Sequence, residues 1–96
     1  MTYRFLSPAR LELTKAMSFY DGAVPGLGLE FLDEVERTIH RILHQPEAWT
    51  RVSPNHRRCR LRRFPYGVIY AVEADEVVIV AVFHLHRHPD SWKDRK

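Results

Sequence analysis

Residues 58–86 read RCRLRRFPYGVIYAVEADEVVIVAVFHLH, and the fold turns on how this stretch is parsed. Arg58, Arg60 and Arg62 alternate with Cys59, Leu61 and Arg63. A period of two is that of a strand, whose successive side chains point to opposite faces, so one face is wholly arginine while Cys59 and Leu61 face inward. Phe64-Pro65 breaks the run, because proline lacks the amide donor that a ladder needs. Tyr66 to Val72 is rich in aromatic and β-branched residues, Glu73-Ala74-Asp75-Glu76 is a polar turn, and Val77 to His86 is a long strand. Together they predict a three-stranded antiparallel meander. The last strand is apolar on both faces, with Val77, Ile79, Ala81, Phe83 and Leu85 on one side and Val78, Val80 and Val82 on the other. Such a strand belongs in the middle of a sheet.

Toward the N-terminus, Tyr3-Arg4-Phe5-Leu6 reads as a short first strand. Ser7-Pro8 then supplies a capping side chain followed by proline at the first helical position, where the missing donor costs nothing. Ala9, Leu13, Ala16, Met17 and Tyr20 recur at the three-and-four spacing of one buried helical stripe, which Asp21-Gly22 ends and Pro25-Gly26 turns. Leu27, Phe31, Leu32, Val35, Ile39, Ile42 and Leu43 form the apolar face of a second helix from Leu27 to Gln45, stopped by Pro46. Pro46 to His56 shows no period and reads as a connecting loop. The predicted class is α+β: an N-terminal strand, an antiparallel two-helix hairpin, then the meander, making one four-stranded sheet with the helices on one face. The other face needs its own cover, either a partner chain or the C-terminal tail folded back through Trp92.

At 96 residues, with 45% hydrophobic, 28% charged and 11% aromatic content, the chain has the size and composition of a single domain spanning residues 1–96. Its longest apolar run is Val77 to Phe83, far short of the roughly 20 residues that cross a bilayer, and Met1-Thr2-Tyr3-Arg4 lacks the layout of a signal peptide. A soluble cytoplasmic protein with no membrane association is the expectation. One cysteine, Cys59, excludes an internal disulfide and a multi-cysteine zinc site. The net charge is only +3, but its distribution is uneven. Ala48 to Val72 holds six arginines and no acid, whereas the remainder has nine basic residues against twelve acidic ones. Arginine presents a planar fork suited to phosphate or carboxylate, so the cluster is either a surface for an anionic partner or a charged edge that discourages aggregation.

The string Arg60-Leu61-Arg62-Arg63-Phe64-Pro65-Tyr66-Gly67-Val68-Ile69-Tyr70, then Val77-Val78-Ile79-Val80-Ala81-Val82-Phe83-His84, then Arg87-His88-Pro89 and Trp92, resembles the RelE/ParE superfamily of toxins, the plasmid stabilisation protein family. Pro25-Gly26-Leu27-Gly28 with Phe31-Leu32, and Pro46 after the second helix, extend the resemblance over essentially the whole chain. It implies the toxin half of a type II toxin-antitoxin pair that arrests bacterial growth, held in a heteromeric complex by a cognate antitoxin. Two activities divide the superfamily: ParE-like inhibition of DNA gyrase, which is not enzymatic, and RelE-like ribosome-dependent cleavage of mRNA without a metal or other cofactor. A third reading is a degenerate, non-toxic partner or operon co-regulator.

The resemblance places Arg58 and Arg60 where the nucleases carry basic strand residues and Arg87 where they carry a phosphate-binding arginine; if RNA is cut, His84 or His86 is the candidate base, since an ordinary imidazole titrates near neutrality. Arg62, Arg63, Tyr66, His86 and Trp92 make up the expected binding surface. Gly67 stands where the nucleases usually carry a further arginine, and Trp92 and Lys93 stand in the region of their C-terminal tyrosine; indole does not titrate as a proton donor. His84 matches a histidine seen in ParE-like members, so the pattern leans toward gyrase. His84, His86 and His88 alternate like a metal-binding trio, but no cysteine or carboxylate except Asp90 accompanies them, and no metal is expected. Tyr66 and Tyr70 share a strand face, suited to stacking on bases or, more simply, to the core.

Overall fold

The computed structural model describes residues 1–87 and 90–95. In chain order the elements are β1 (Thr2–Phe5), α1 (Ser7–Ala23), α2 (Leu27–His44), β2 (Thr50–Ser53), β3 (His56–Arg60), β4 (Tyr66–Glu73) and β5 (Glu76–His84), followed by one 3-10 turn at Ser91–Asp94. The strands form one sheet in the order β1-β5-β4-β3-β2. The β3-β4-β5 meander is antiparallel, as its pattern predicts, and β5 lies inside the sheet between β4 and β1.

The sheet corrects the four-stranded expectation in two ways. It has five strands, because Thr50–Ser53, within the segment read as a loop, pairs antiparallel with β3 through Thr50↔Arg58 and Arg51↔Arg57. Four residues between Pro46 and Pro54 are too few to display a period, and only backbone pairing defines them. The sheet is also mixed, since β1 runs parallel to β5 from Thr2↔Glu76 to Phe5↔Ile79. A parallel neighbour needs a long crossover, which the helix hairpin supplies.

A register shift between Ile69 and Tyr70 changes the phase of β5. Val77 and Ile79 face the helices, Val80 and Ala81 both turn away, and Val82 returns to the helix side. The strict alternation read from the sequence, which put Ala81 with Ile79 and Val82 with Val80, is broken by this bulge. One strand thereby feeds two cores. On the helix side Phe31, Val35, Ile39 and Ile42 of α2 pack on Val68, Tyr70, Val77, Ile79 and Val82. On the far side Ile69, Ala71, Val78, Val80 and Ala81 close around Trp92.

Local chemistry sets the helix ends. Ser7 is already helical and its hydroxyl caps nothing: Leu6 occupies the capping position, donating its N–H to Ile79 O at 3.0 Å and accepting from Arg10 N at 3.0 Å. At the hairpin, Asp21 Oδ1 accepts from the N–H groups of Gly26 (2.9 Å) and Gly28 (3.3 Å), so a side chain from α1 caps α2. Gly28 is where the helices touch: a Cβ there would stand 2.6 Å from Met17 O.

The tail supplies the second cover. Trp92 is buried, with its ring 5.1 Å from that of His56. Arg95 anchors the turn by a two-fold bond to Glu12 of α1, 2.9 Å at each oxygen, and by 3.0 Å to Val80 O. Glu12 Oε1 also accepts from Val82 N at 3.1 Å. These bonds occupy the outer edge of β5 beyond Ile79, where β1 has ended. Among the described residues no helix is long and apolar enough to cross a membrane.

Candidate functional site

Arg58 and Arg60 lie opposite Ile69 and Gly67 of β4, on the sheet face turned away from the helices. Arg60 is exposed, and neither residue is ion-paired among the described residues. Arg58 is half-buried, and its Nε is fully buried without a hydrogen-bond partner. The cause is Gly67. A Cβ there would stand 3.2 Å from Leu85 Cδ2 and 3.3 Å from Arg58 Cγ and Phe83 Cε1, so the missing side chain lets the Arg58 stem lie flat beside Phe83. Leu85 and Phe83 thus form the apolar floor of a surface whose charged rim is Arg58 and Arg60.

Arg62 and Arg63 do not continue that row. The strand ends at Arg60, and the chain turns at residues 61–65 toward α2. There the Arg62 N–H donates to Glu34 Oε2 at 2.7 Å and Arg63 Nη2 pairs with Glu30 Oε1 at 2.9 Å. Glu34 is buried, only 3% exposed, and pins the turn to the helix. The arginine face expected over residues 58, 60 and 62 is therefore two residues long. A carboxylate on the inner stripe of a helix is the signal that could have shown this: Glu34 falls beside Phe31 and Val35 in the sequence.

His84 and Arg87 stand on the other side of the sheet. His84 pairs with Tyr66, whose ring lies in the helix-side core, with centroids 5.1 Å apart. With Lys15, Phe19 and Tyr20 of α1 these residues line a groove of about 530 Å³ along the outer edge of β5. Burial, helped by the charges of Arg87 and His86, holds the His84 imidazole below its ordinary pKa, favouring the neutral ring. Burial raises the Tyr66 phenol, against the opposing pull of Arg87, and raises Tyr20, with Tyr66 adding to the rise. Arg87 is thus electrostatically part of the tyrosine–histidine group, while Arg58 and Arg60 belong to the opposite face.

The remaining candidates fall as follows. His86 is exposed, its N–H donating to His84 Nδ1 at 3.1 Å. His88 lies outside the described residues, and among those described no three His, Cys, Asp or Glu side chains are placed to hold a metal ion. Trp92, expected on a contact surface, is 6% exposed and belongs to the far core. Tyr66 and Tyr70 are both buried, so they pack rather than stack on bases; burial pushes the Tyr70 phenol up to about 12, and its hydroxyl donates to Pro46 O. Cys59 is buried and its thiol pKa is raised by burial.

A helix hairpin backing one side of a small mixed sheet, with Arg58 and Arg60 over an aromatic floor on the other, defines a compact α+β protein. The family model described as "ParE toxin of type II toxin-antitoxin system, parDE" matches residues 3–89. The chain belongs to that family and is a toxin of the ParE type, whose two-gene system implies an antitoxin partner. No curated protein matches it. Among solved structures it is similar to a chain of the "Chromosomal ParDE TA system from P. aeruginosa", with a TM-score of 0.76 and 19% identity over 90% of this chain and 97% of that one. At that identity the likeness is one of fold.

Proposed function

We propose that this toxin arrests growth in the bacterial cytoplasm by gripping DNA gyrase, and that it does not cut RNA. One observation carries the reading: the sheet separates Arg58 and Arg60 from His84, whose groove Arg87 shares. Metal-free cleavage requires a base on the 2′-hydroxyl, cations around the phosphate and an acid at the leaving oxygen, all converging on one phosphorus atom. Groups on opposite faces of a sheet do not converge. Gly67 adds no cation between them, and Trp92 is buried and has no titrating proton to give. Arginine beside half-buried aromatic and aliphatic groups is instead a composition suited to a protein-binding hot spot. The cognate antitoxin blocks this contact in the resting pair.

Expression in a bacterial host tests the proposal. Growth arrest with covalent gyrase–DNA complexes, lost in Arg58→Ala/Arg60→Ala but retained in His84→Ala, is the expected result. Transcript ends mapped inside translated codons would replace gyrase with ribosome-dependent mRNA cleavage. An unimpeded culture would leave the degenerate regulator.

A further inference from the structure

A second cleft, of about 870 Å³, opens at the far end of β4 from Tyr66, between the α2–β2 connection and the β2–β3 hairpin. Its polar lining includes a pair of arginines. Arg51 and Arg57 are direct cross-strand partners, so their side chains share a sheet face, and both line the cleft. That face is the helix side, because Arg57 stands opposite Tyr70 and donates from Nη1 to Trp49 O at 2.9 Å. Arg51 Nη1 is held by Pro54 O at 2.8 Å. Each guanidinium thus spends one of its donors on a backbone carbonyl that fixes its position, and neither is ion-paired among the described residues. Like charges directly opposite in a ladder destabilise it. Pro46, Ala48, Pro54 and Val72 give the cleft apolar walls, and its size falls in the range of small-molecule sites.

We infer that this cleft binds a small organic oxyanion, a carboxylate or phosphate group bridged between Arg51 and Arg57 with its carbon body against the apolar walls. Each guanidinium keeps donors free beyond the one its carbonyl takes, and an anion between the two would offset the repulsion of like charges on one rung. Glu47 and Glu73 also line the cleft, and their charges disfavour an occupant with more than one anionic group. The site lies at the opposite end of β4 from the groove of His84 and Arg87, and it is independent of the gyrase reading.

The test is a titration at constant ionic strength, following the arginine Nε–H resonances of nitrogen-labelled protein, with inorganic phosphate in one arm and benzoate in the other. Saturable shifts confined to Arg51 and Arg57 are expected in at least one arm. The arm that saturates at lower concentration identifies the anion class. Arg51→Gln should weaken the midpoint at least ten-fold while leaving the unliganded protein as stable or more so, because it relieves the repulsion; Arg63→Gln should leave the midpoint unchanged. Linear shifts spread over all arginines, or an unaltered midpoint in Arg51→Gln, would overturn the inference. Should Arg57→Gln fail to fold, the Arg51 variant still decides.

Discussion

Replacing Glu12 with alanine should loosen the toxin from its tail inward. Glu12 receives two guanidinium bonds from Arg95 and one N–H from Val82 of β5. A hydrogen bond to a charged group is worth about 1.5–3 kcal/mol net, discounted here because the side chains remain 27% and 16% exposed. The Glu12–Arg95 coupling should therefore be about 1–2 kcal/mol. Stranding Val82 N–H and letting the Trp92 turn fray bring the full cost of Glu12→Ala to roughly 2–4 kcal/mol, a lowering of Tm on the order of 10–20 °C for a domain this small. A double-mutant cycle with Arg95→Ala, read by urea unfolding, isolates the coupling. In a Trp49→Phe background the single remaining indole reports the tail, and its emission should move to longer wavelength in Glu12→Ala before global unfolding. Single-mutant effects that simply add, to within about 0.3 kcal/mol, would refute the latch.

Three further outcomes are expected. Gly28→Ala, which forces a methyl against Met17 O, should cost about 1–3 kcal/mol in chemical denaturation, whereas Gly22→Ala, with open space around it in α1, should be neutral or gain up to about 1 kcal/mol. Burial lowers the pKa of His56 in the folded state, so the unfolded chain takes up its proton first. Stability should thus fall as pH drops below the ordinary histidine value, and His56→Asn should flatten that decline between pH 7.5 and 5; an identical slope in both proteins contradicts the assignment. In the growth assay Arg62→Ala should retain toxicity, since its backbone and not its guanidinium holds the turn. Full loss of toxicity in that variant would return Arg62 to the working face.

The helices and the meander were legible because each rests on a local period: three-and-four spacing from Leu27 to Leu43, alternation from Arg58 to Leu61. What the sequence concealed is long-range. The β1–β5 pairing joins residues far apart in the chain, and nothing in Tyr3-Arg4-Phe5 states its neighbour. The bulge that moves Val82 to the helix side leaves no mark in an unbroken run of valines and isoleucines. For the candidate site, Arg58 and Arg60 were readable from alternation alone. Arg62 departs from the alternation because the strand ends at Arg60, and His84 and Arg87 fall apart from the arginines because resemblance carries roles without sheet faces. The choice between partner and tail as second cover, open in the sequence, was decided by Glu12, a residue whose helical position gave no hint of an edge-capping role.

The Thr2↔Glu76 pairing has a consequence for synthesis. Strand β1 precedes its partner yet has no ladder to join until Glu76–Ile79 have been added, so a nascent fragment that ends between α2 and β5 carries two helices with no finished sheet beneath them. Closing so wide a loop is slow by the measure of sequence separation. The basic face is assembled in the same late event, because β4 and β5 provide its floor.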